Sequence, residues 1–331
     1  VLYVLASIGC AFTNTVESLI AMRLLQALGG CVGMVAAQAL VRDLFPLNKS
    51  AQVFSLIILV IAVSPMIAPT LGGYVTAAFG WHWVFIILAG IAALVMVGVY
   101  WLLPSGSKPD SSVSLRPLSV ASNYYTVSKQ PQFLIYTVAG GVAMAGPFAY
   151  IVGSSDVYMN VYYLTEQQYG WAFAIVAFGM IGTTQTNHLL LRHYKSESLV
   201  KVALIYQTIV GMLLVAGTVY GWYGLYSFTA LVFLFVAGHG IMTPNVSALA
   251  MAPFSRNAGS ASALLGSFRL TAGAIVSALV SILHDGTSLP MTIMMLSCAL
   301  VGLIFLGSGR AVVKHKAKKM EREEAAIVDP I

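Results

Sequence analysis

The sequence has 331 residues, of which 59% are hydrophobic and only 8% are charged, and its mean hydropathy is +0.86. Soluble domains carry roughly 25% charged residues, so this composition excludes a soluble globular protein and indicates one embedded in a membrane. The net charge of +6 forms no patch, because the cationic residues are spread over short loops and the C-terminal tail. We therefore expect no nucleic-acid partner.

Apolar runs separated by polar breaks are the main signal along the chain, since about 20 residues span the hydrocarbon core of a bilayer. Ten runs follow one another: Val1–Thr13, Glu17–Val41, Ala51–Ala78, Trp81–Leu103, Phe133–Val157, Gly170–Leu191, Leu199–Tyr220, Tyr223–Ala252, Ala258–Leu283 and Pro290–Gly307. The first run is short for a span, and the sequence begins with Val1 rather than Met. We therefore expect a longer reading frame.

In the loops and at the helix ends beside them, lysine and arginine lie on only one of the two alternating sides, which the positive-inside rule assigns to the cytoplasm. This side holds Arg42, Lys49, Lys108, Arg116, Lys129, Arg192, Lys195, Lys201, Arg256 and the basic tail. The other side contains neither residue type; its loops are 14–15, 79–80, 158–169, 221–222 and 284–289. The pattern predicts that both visible ends of the chain lie in the cytoplasm.

The longest polar break, residues 104–131, divides four runs from six and is interpreted as a cytoplasmic linker. It separates a partial N-terminal helical half, residues 1–103, from a six-helix C-terminal half, residues 132–309. Residues 310–331 are interpreted as a basic cytoplasmic tail, either a short helix or disordered, that anchors the topology at the membrane surface.

Two prolines, Pro65 and Pro69, interrupt the third run in the segment Ala62–Gly73. Proline breaks helices in water, but in a membrane neighbouring helices can satisfy the freed backbone groups. Small residues recur here every four positions, at Ser64, Ala68 and Gly72, a spacing that allows close helix approach. We predict a bent, tightly packed helix and a similar partner in Gly259–Leu283.

If the two halves are repeats, the proline-rich helix is the fifth of six, and two spans are expected before Val1. Parallel six-helix repeats are the architecture of major facilitator transporters, and several segments resemble motifs of that superfamily. They are Arg23-Leu-Leu-Gln26-Ala-Leu-Gly29-Gly30, Ala62–Gly73 with its antiporter-motif residues Pro65, Pro69, Gly72 and Gly73, and Gly80-Trp-His-Trp-Val-Phe85.

Further segments resemble the bicyclomycin-resistance type (Bcr/CflA) of drug:proton antiporter, namely Arg42-Asp43-Leu-Phe45, Pro244-Asn245 and Ala258–Ala263 through Arg269. The resemblance implies an all-α integral membrane protein with the major facilitator fold and ten visible helices of an expected twelve, family helices 3–12. Three residues depart from the family pattern: Ser64 and Ala68 replace glycine, and His82 replaces arginine. The first-helix acidic residue implicated in proton coupling is also absent.

Charged residues inside the apolar runs are candidates for transport or proton coupling. Arg23 lies about 9 Å from the outer end of its helix, and Gln26 shares its face; the pair is either a coupling site or a hydrogen-bonded helix clamp. Arg269 lies in mid-helix, where it either lines a cavity or pairs with a neighbour. Asp43 resembles an acidic gate residue, and its alternative role is solvation of a helix end.

Other polar residues have a functional and a structural interpretation. Asp156 is either a protonatable cavity residue or an interfacial carboxylate at a helix end. His239 is either a proton-exchanging group or a hydrogen-bonded buried histidine. Gln185, Asn187 and Asn245 are cavity candidates, for which interhelical hydrogen bonding is the alternative.

No phosphate-binding GxxxxGK[ST] loop and no catalytic motif of a hydrolase or metalloprotease is present. We therefore expect neither an enzyme nor a cofactor, and the proton gradient as energy source. The resemblance implies a monomeric exporter of small amphipathic drugs or toxic compounds in the bacterial cytoplasmic (inner) membrane, with the substrate, protons and the lipid bilayer as partners. The alternatives are a metabolite exporter of the same fold and a truncated fragment that does not transport.

Overall fold

The computed structural model describes residues 1–44, 53, 60, 64, 67–102, 117–254 and 258–328. Their regular elements are helices, with no β-strand among them, which confirms the predicted all-α class for this part of the chain. The helices are α1 (Leu2–Ala11), α2 (Val16–Leu44), α3 (Ile67–Phe79), α4 (His82–Leu102), α5 (Pro117–Ser128), α6 (Pro131–Ala143), α7 (Gly146–Asp156), α8 (Glu166–Leu190), α9 (Ser196–Val219), α10 (Leu225–Met251), α11 (Ala258–Ile282) and α12 (Leu289–Val328).

Six helical stretches of the described residues are long and apolar enough to cross a membrane. They are His82–Leu102, Pro131–Val161, Ser196–Val219, Leu225–Met251, Gly259–Ile282 and Leu289–Gly309. α1 and α3 are apolar but shorter, and α2 and α8 are long helices of 29 and 25 residues. The protein therefore has several membrane spans, and a count of ten remains a prediction.

One of these stretches is a broken helix made of α6, α7 and a π-helical turn, Val157–Val161. The break falls at Met144 and Ala145, where the Ala145 N–H donates to the Val142 carbonyl at 3.0 Å in a tightened turn. Pro147 follows the break, and because proline has no N–H group it leaves the carbonyl four residues earlier without its usual donor. The sequence therefore explains why the regular helical hydrogen bonding is interrupted here.

Helix is also present in the predicted linker and in the predicted tail. The segment 104–131, which stays a predicted linker, contains α5, which packs against α11. The backbone of α12 continues as a helix to Val328, through most of the predicted tail. Of the two alternatives for that tail, the helix is therefore the one present.

The chain divides into two compact units, residues 1–112 with 165–174, and residues 113–164 with 175–331. In the first unit, α1 packs against α2 and α4. In the second, α9 packs against α10 and α12, and α6 packs against α10, α11 and α12. Buried side chains from these helices fill its core, including Phe133, Tyr136, Leu204, Met242, Val246, Leu265 and Leu306.

The α1–α2 contact depends on one glycine, because a Cβ atom added at Gly29 would lie 2.6 Å from the Tyr3 backbone nitrogen and 2.9 Å from its Cα. Membrane helices use such small residues to bring backbones together. Gly33, four residues later, differs: an added Cβ would meet no described atom within 4 Å. Only the first member of this GxxxG pair therefore makes a close contact among the described residues.

We predict that Gly29→Val destabilises the protein and that Gly33→Val does not. The valine at residue 29 must displace the Tyr3 backbone, and overpacking of this kind costs about 1–3 kcal/mol. The check is the thermal unfolding midpoint of both variants in the same detergent. Equal midpoints for the two variants would contradict the packing described here.

Candidate functional site

In the first unit, Arg23 begins a chain of hydrogen bonds that crosses from α2 to α1. Its Nη1 donates to Gln26 Oε1 at 2.5 Å, and Gln26 Nε2 donates to Ser7 Oγ at 2.6 Å. Ser7 Oγ in turn donates to the Tyr3 carbonyl at 2.7 Å. Gln26 is 2% exposed and Ser7 is fully buried, so this chain links the two helices inside apolar surroundings.

The Arg23 guanidinium itself is not enclosed. The side chain is exposed within the chain, and its Cζ lies 5.7 Å from the centre of the Phe85 ring on α4. A cation over an aromatic face gains about 0.5–1 kcal/mol at an exposed site. Because a guanidinium has five N–H donors, Arg23 can remain bound to Gln26 and still donate to another acceptor. The geometry therefore fits both the clamp and the coupling interpretation.

The described part of the antiporter-motif helix, α3, makes its closest contact at Gly73. An added Cβ there would lie 2.8 Å from the Glu166 carbonyl oxygen, whereas at Gly72 it would meet no described atom within 4 Å. Ser64 and Ala68 are exposed. The contact thus lies one residue beyond the predicted Ser64, Ala68 and Gly72 stripe, on a different helix face.

The face of α3 that packs carries Thr70, Gly73 and Tyr74, and its partner is residues 165–174, which belong to the same unit. Thr70 Oγ1 donates to the Gly170 carbonyl at 3.2 Å, and Trp171 Nε1 donates to Tyr74 Oη at 3.3 Å. A Cβ added at Gly170 would lie 3.0 Å from the Thr70 Cα. Glycines on both sides therefore bring the two backbones together. Pro69 lies in α3, and Pro65 lies outside the described residues.

In the second unit, two asparagines join α8 to α10. Asn245 Nδ2 donates to Asn187 Oδ1 at 2.6 Å and to the Ile241 carbonyl at 2.7 Å. Both asparagines are buried, at 1% and 3% exposure. Gln185, in contrast, is exposed. The structure thus brings two of the three cavity candidates together as an interhelical pair.

His239 on α10 is buried and pairs with Gln207 on α9, with 2.9 Å between His239 Nδ1 and Gln207 Nε2. Gln207 Nε2 also donates to the Phe235 carbonyl at 3.1 Å. Because the amide nitrogen is a donor, Nδ1 of the ring is the acceptor, and the proton of the neutral ring is on Nε2. The ring lies beside the Met144 backbone, at the break between α6 and α7.

Arg269 on α11 donates from Nη2 to Ser247 Oγ of α10 at 2.9 Å. Ser247 Oγ uses its own proton to bond the Thr243 carbonyl at 2.7 Å. Arg269 Nε is buried and has no hydrogen-bond partner among the described residues. Arg269 therefore has both a neighbour, as one sequence interpretation expects, and donors left over, as the cavity interpretation requires.

Asp156 is the last residue of α7 and pairs with residues at the same end of the second unit. Its Oδ1 accepts from Asn160 Nδ2 at 2.6 Å, and its Oδ2 lies 3.5 Å from His284 Nε2. This is the geometry of a carboxylate at a helix end. Asp43 belongs to α2, but its side chain lies outside the described part of the chain.

Among the polar partners that were not singled out from the sequence are Ser7, Gln207 and Ser247. Each is a polar residue within an apolar run, and polar residues in a membrane helix tend to hydrogen-bond across helices. That rule identifies them as residues in need of a partner. It does not say which helix supplies the partner, because this depends on the tertiary packing.

The fold and these contacts can now be compared with known proteins. The family model described as Major Facilitator Superfamily matches residues 1–278. The chain belongs to the major facilitator superfamily. It is therefore a transporter of multi-pass membrane type and not an enzyme, which confirms the resemblance drawn from its motifs.

Several curated proteins from bacteria are similar to this chain. The bicyclomycin resistance protein homolog of Haemophilus influenzae is 29% identical over 88% of this chain and 73% of its own length. An uncharacterized MFS-type transporter of Bacillus subtilis, YdgK, is 30% identical over 92% of this chain and 76% of its own length. The multidrug resistance protein MdtL of Escherichia coli is 22% identical over 95% of this chain and 79% of its own length. These relatives are consistent with the Bcr/CflA branch.

Solved structures of the same fold include the D-xylose-proton symporter, with a TM-score of 0.66, 15% identity and coverage of 92% of this chain and 79% of that one. A second structure is that of a bacterial homolog of the human lysosomal transporter Spinster in an inward-facing and unoccupied conformation. It has a TM-score of 0.64 and 12% identity, and the match covers 94% of this chain and 79% of that one. At these identities the similarity establishes the major facilitator fold alone.

We predict that Gly73→Ala weakens the contact between α3 and residues 165–174, whereas Gly72→Ala leaves it intact. The new methyl group at residue 73 meets a backbone carbonyl oxygen, which cannot move aside as a flexible side chain can. The measurement is amide hydrogen exchange over residues 67–79 and 165–174. Unchanged protection in Gly73→Ala would contradict the proposed role of this glycine.

Proposed function

We propose that the protein is a secondary active transporter that exports small amphipathic drugs or toxic compounds in exchange for protons. The observation that carries this proposal is the set of hydrogen-bonded polar side chains on facing helices of an otherwise apolar bundle, with an arginine in each unit. Polar groups inside a membrane are costly and mark substrate and proton pathways. The names of the relatives, which include bicyclomycin and multidrug resistance, support a drug as the exported compound.

The proposed mechanism is alternating access, in which two helical halves rock around a substrate site near the middle of the bilayer. Ten of the family's twelve spans, helices 3–12, would then be present in this sequence, one for each apolar run. Some contacts between neighbouring helices are single hydrogen bonds, such as Asn245 with Asn187, or close approaches at a glycine, such as Gly29 with Tyr3. We propose that contacts of these two kinds break and re-form as the halves rock.

Proton coupling is assigned to side chains that can exchange a proton or respond to one. Asp43, Asp156 and His239 are the titratable candidates, and Arg23 with Gln26 is the pair that would respond to a neighbouring acidic group. The proton gradient then supplies the energy, and no cofactor is needed. This division of roles follows from chemistry: carboxyl and imidazole side chains can bind and release a proton, whereas a guanidinium stays charged.

We further propose that the protein is a monomer in the bacterial inner membrane, with both visible ends in the cytoplasm. The charge asymmetry of the loops supports this orientation. Two exposed aromatic residues in loops of opposite type offer a direct test: Trp222 lies between α9 and α10, and Tyr194 lies between α8 and α9.

For the orientation, we predict that a membrane-impermeant maleimide labels Trp222→Cys in intact cells and labels Tyr194→Cys only after permeabilisation. Both variants are made in a background without Cys10, Cys31 and Cys298, and that background alone is the unlabelled control. Labelling of both positions from the same side would contradict the proposed topology.

For transport, we predict proton-driven uptake of several chemically different drugs into inverted vesicles that contain the complete reading frame. Arg23→Gln should reduce this uptake at least tenfold, because it removes the charge that Gln26 and Ser7 hold in place. Arg192→Gln, an exposed arginine in the loop after α8, is the matched control and should transport normally. Uptake equal to that of empty vesicles for every compound, including candidate metabolites, would refute the exporter and favour the non-transporting fragment.

A further inference from the structure

Arg269 is a charge placed deep in a membrane helix. It lies about 16 Å from the inner end of α11 and about 20 Å from the outer end at 1.5 Å per residue. An arginine near the middle of a span costs about 2.5–3.5 kcal/mol on insertion scales. A residue retained at this cost needs a compensating partner, either within the protein or from a bound molecule.

In the part of the chain that the structure describes, Arg269 has one neutral partner and no countercharge nearby. Among the described residues, its guanidinium donates one hydrogen bond, to Ser247 Oγ, and the buried Nε has no acceptor. The described acidic side chains of the second unit lie at helix ends or in loops: Asp156 ends α7, Glu197 begins α9 and Asp285 follows α11. The feature that requires an explanation is therefore a guanidinium near the middle of a membrane span with N–H groups that have no acceptor among the described residues.

Among the described residues, nothing closes the helix face below Arg269 at Gly266 and Ser262. Ser262, Gly266 and Arg269 share this face at intervals of four and three residues, and a Cβ added at Gly266 would meet no described atom within 4 Å. Ser262 is exposed. The same face closes above Arg269, where a Cβ at Gly273 would lie 2.8 Å from the Phe148 ring of α7.

This open face does not suit hydrocarbon, because lipid chains give a guanidinium no acceptor. It suits a polar compartment lined by serine and glycine that ends at a fixed positive charge. Ser247 holds the guanidinium in place: it accepts from Nη2 while its own proton is committed to the Thr243 carbonyl. Nε and the remaining N–H groups are then available to an incoming acceptor.

We propose that Arg269 binds an anionic group of the substrate, a carboxylate or a similar planar oxyanion, and that Ser247 is its positioning residue. A guanidinium matches such a group with two parallel hydrogen bonds, a geometry that a lysine ammonium cannot provide. This inference rests on the proposed export function for its physiological meaning, but the binding site can be tested without transport. It narrows the proposed substrate class from amphipathic compounds in general to amphipathic compounds with an anionic group that accepts hydrogen bonds.

The test uses nalidixate, an amphipathic carboxylate, and its neutral methyl ester as a probe pair on the same skeleton. Binding of both to the purified protein in lipid nanodiscs is measured by calorimetry. We expect nalidixate to bind at least tenfold more tightly than the ester. Arg269→Gln should abolish this preference, and Arg269→Lys and Ser247→Ala should each reduce it severalfold. Arg192→Gln should keep it.

Thermal unfolding of each variant separates binding from folding. A merely structural arginine would lower the unfolding midpoint in Arg269→Gln and leave the acid-over-ester preference unchanged, which would overturn the proposal. Equal binding of acid and ester to the unsubstituted protein, or no binding of either, would also overturn it. If Arg269→Gln does not fold, the acid-over-ester preference is measured in Arg269→Lys and Ser247→Ala instead. An unchanged preference in both variants would overturn the proposal.

Proton-driven uptake of the same pair into inverted vesicles separates this proposal from the exporter function. Export of neutral and cationic compounds without any acid preference would leave the exporter standing and refute the Arg269 site. Arginine-dependent binding of nalidixate without uptake of any compound would support the site and refute the exporter.

Discussion

Hydrocarbon offers no hydrogen-bond partner, so a polar group inside a membrane span depends on another part of the chain or on a bound molecule. For the backbone, this constraint selects helices. For side chains, it produces pairs between neighbouring helices: Gln26 with Ser7, Asn245 with Asn187, and Gln207 with His239. Each pair fixes the position of one helix along its neighbour. Apolar contacts alone do not fix it, because an apolar surface is as favourable against lipid as against another helix.

Much of the fold follows directly from the sequence, because membrane thickness and backbone pairing leave few choices. Several apolar runs predict helices whose ends agree with the described ones to within a few residues, as for Trp81–Leu103 and the helix His82–Leu102. The run Pro290–Gly307 does not, because α12 continues to Val328. The short connections between them were also predictable. Gly80 adopts a φ of +87° in the two-residue turn between α3 and α4, a conformation that favours glycine.

The choice of packed faces was less predictable. The spacing of Ser64, Ala68 and Gly72 suggested one face of α3, whereas the close contact lies on the neighbouring face at Gly73. Small residues permit a close approach on any face, and the partner's own shape decides which face is used; here the partner contributes Gly170. The same holds for polar residues, since the sequence marks Arg269 as unusual but cannot assign Ser247 to it.

The pairing of His239 with Gln207 determines what protonation of this ring would require. Since the neutral ring already carries a hydrogen on Nε2, an additional one can enter only at Nδ1, where the Gln207 amide nitrogen lies. The amide must then rotate to present its oxygen, and it loses its bond to the Phe235 carbonyl. Charging the imidazole therefore replaces two of the hydrogen bonds between α9 and α10 by a single one to the ring, so that a chemical event at one atom alters the contacts between two helices.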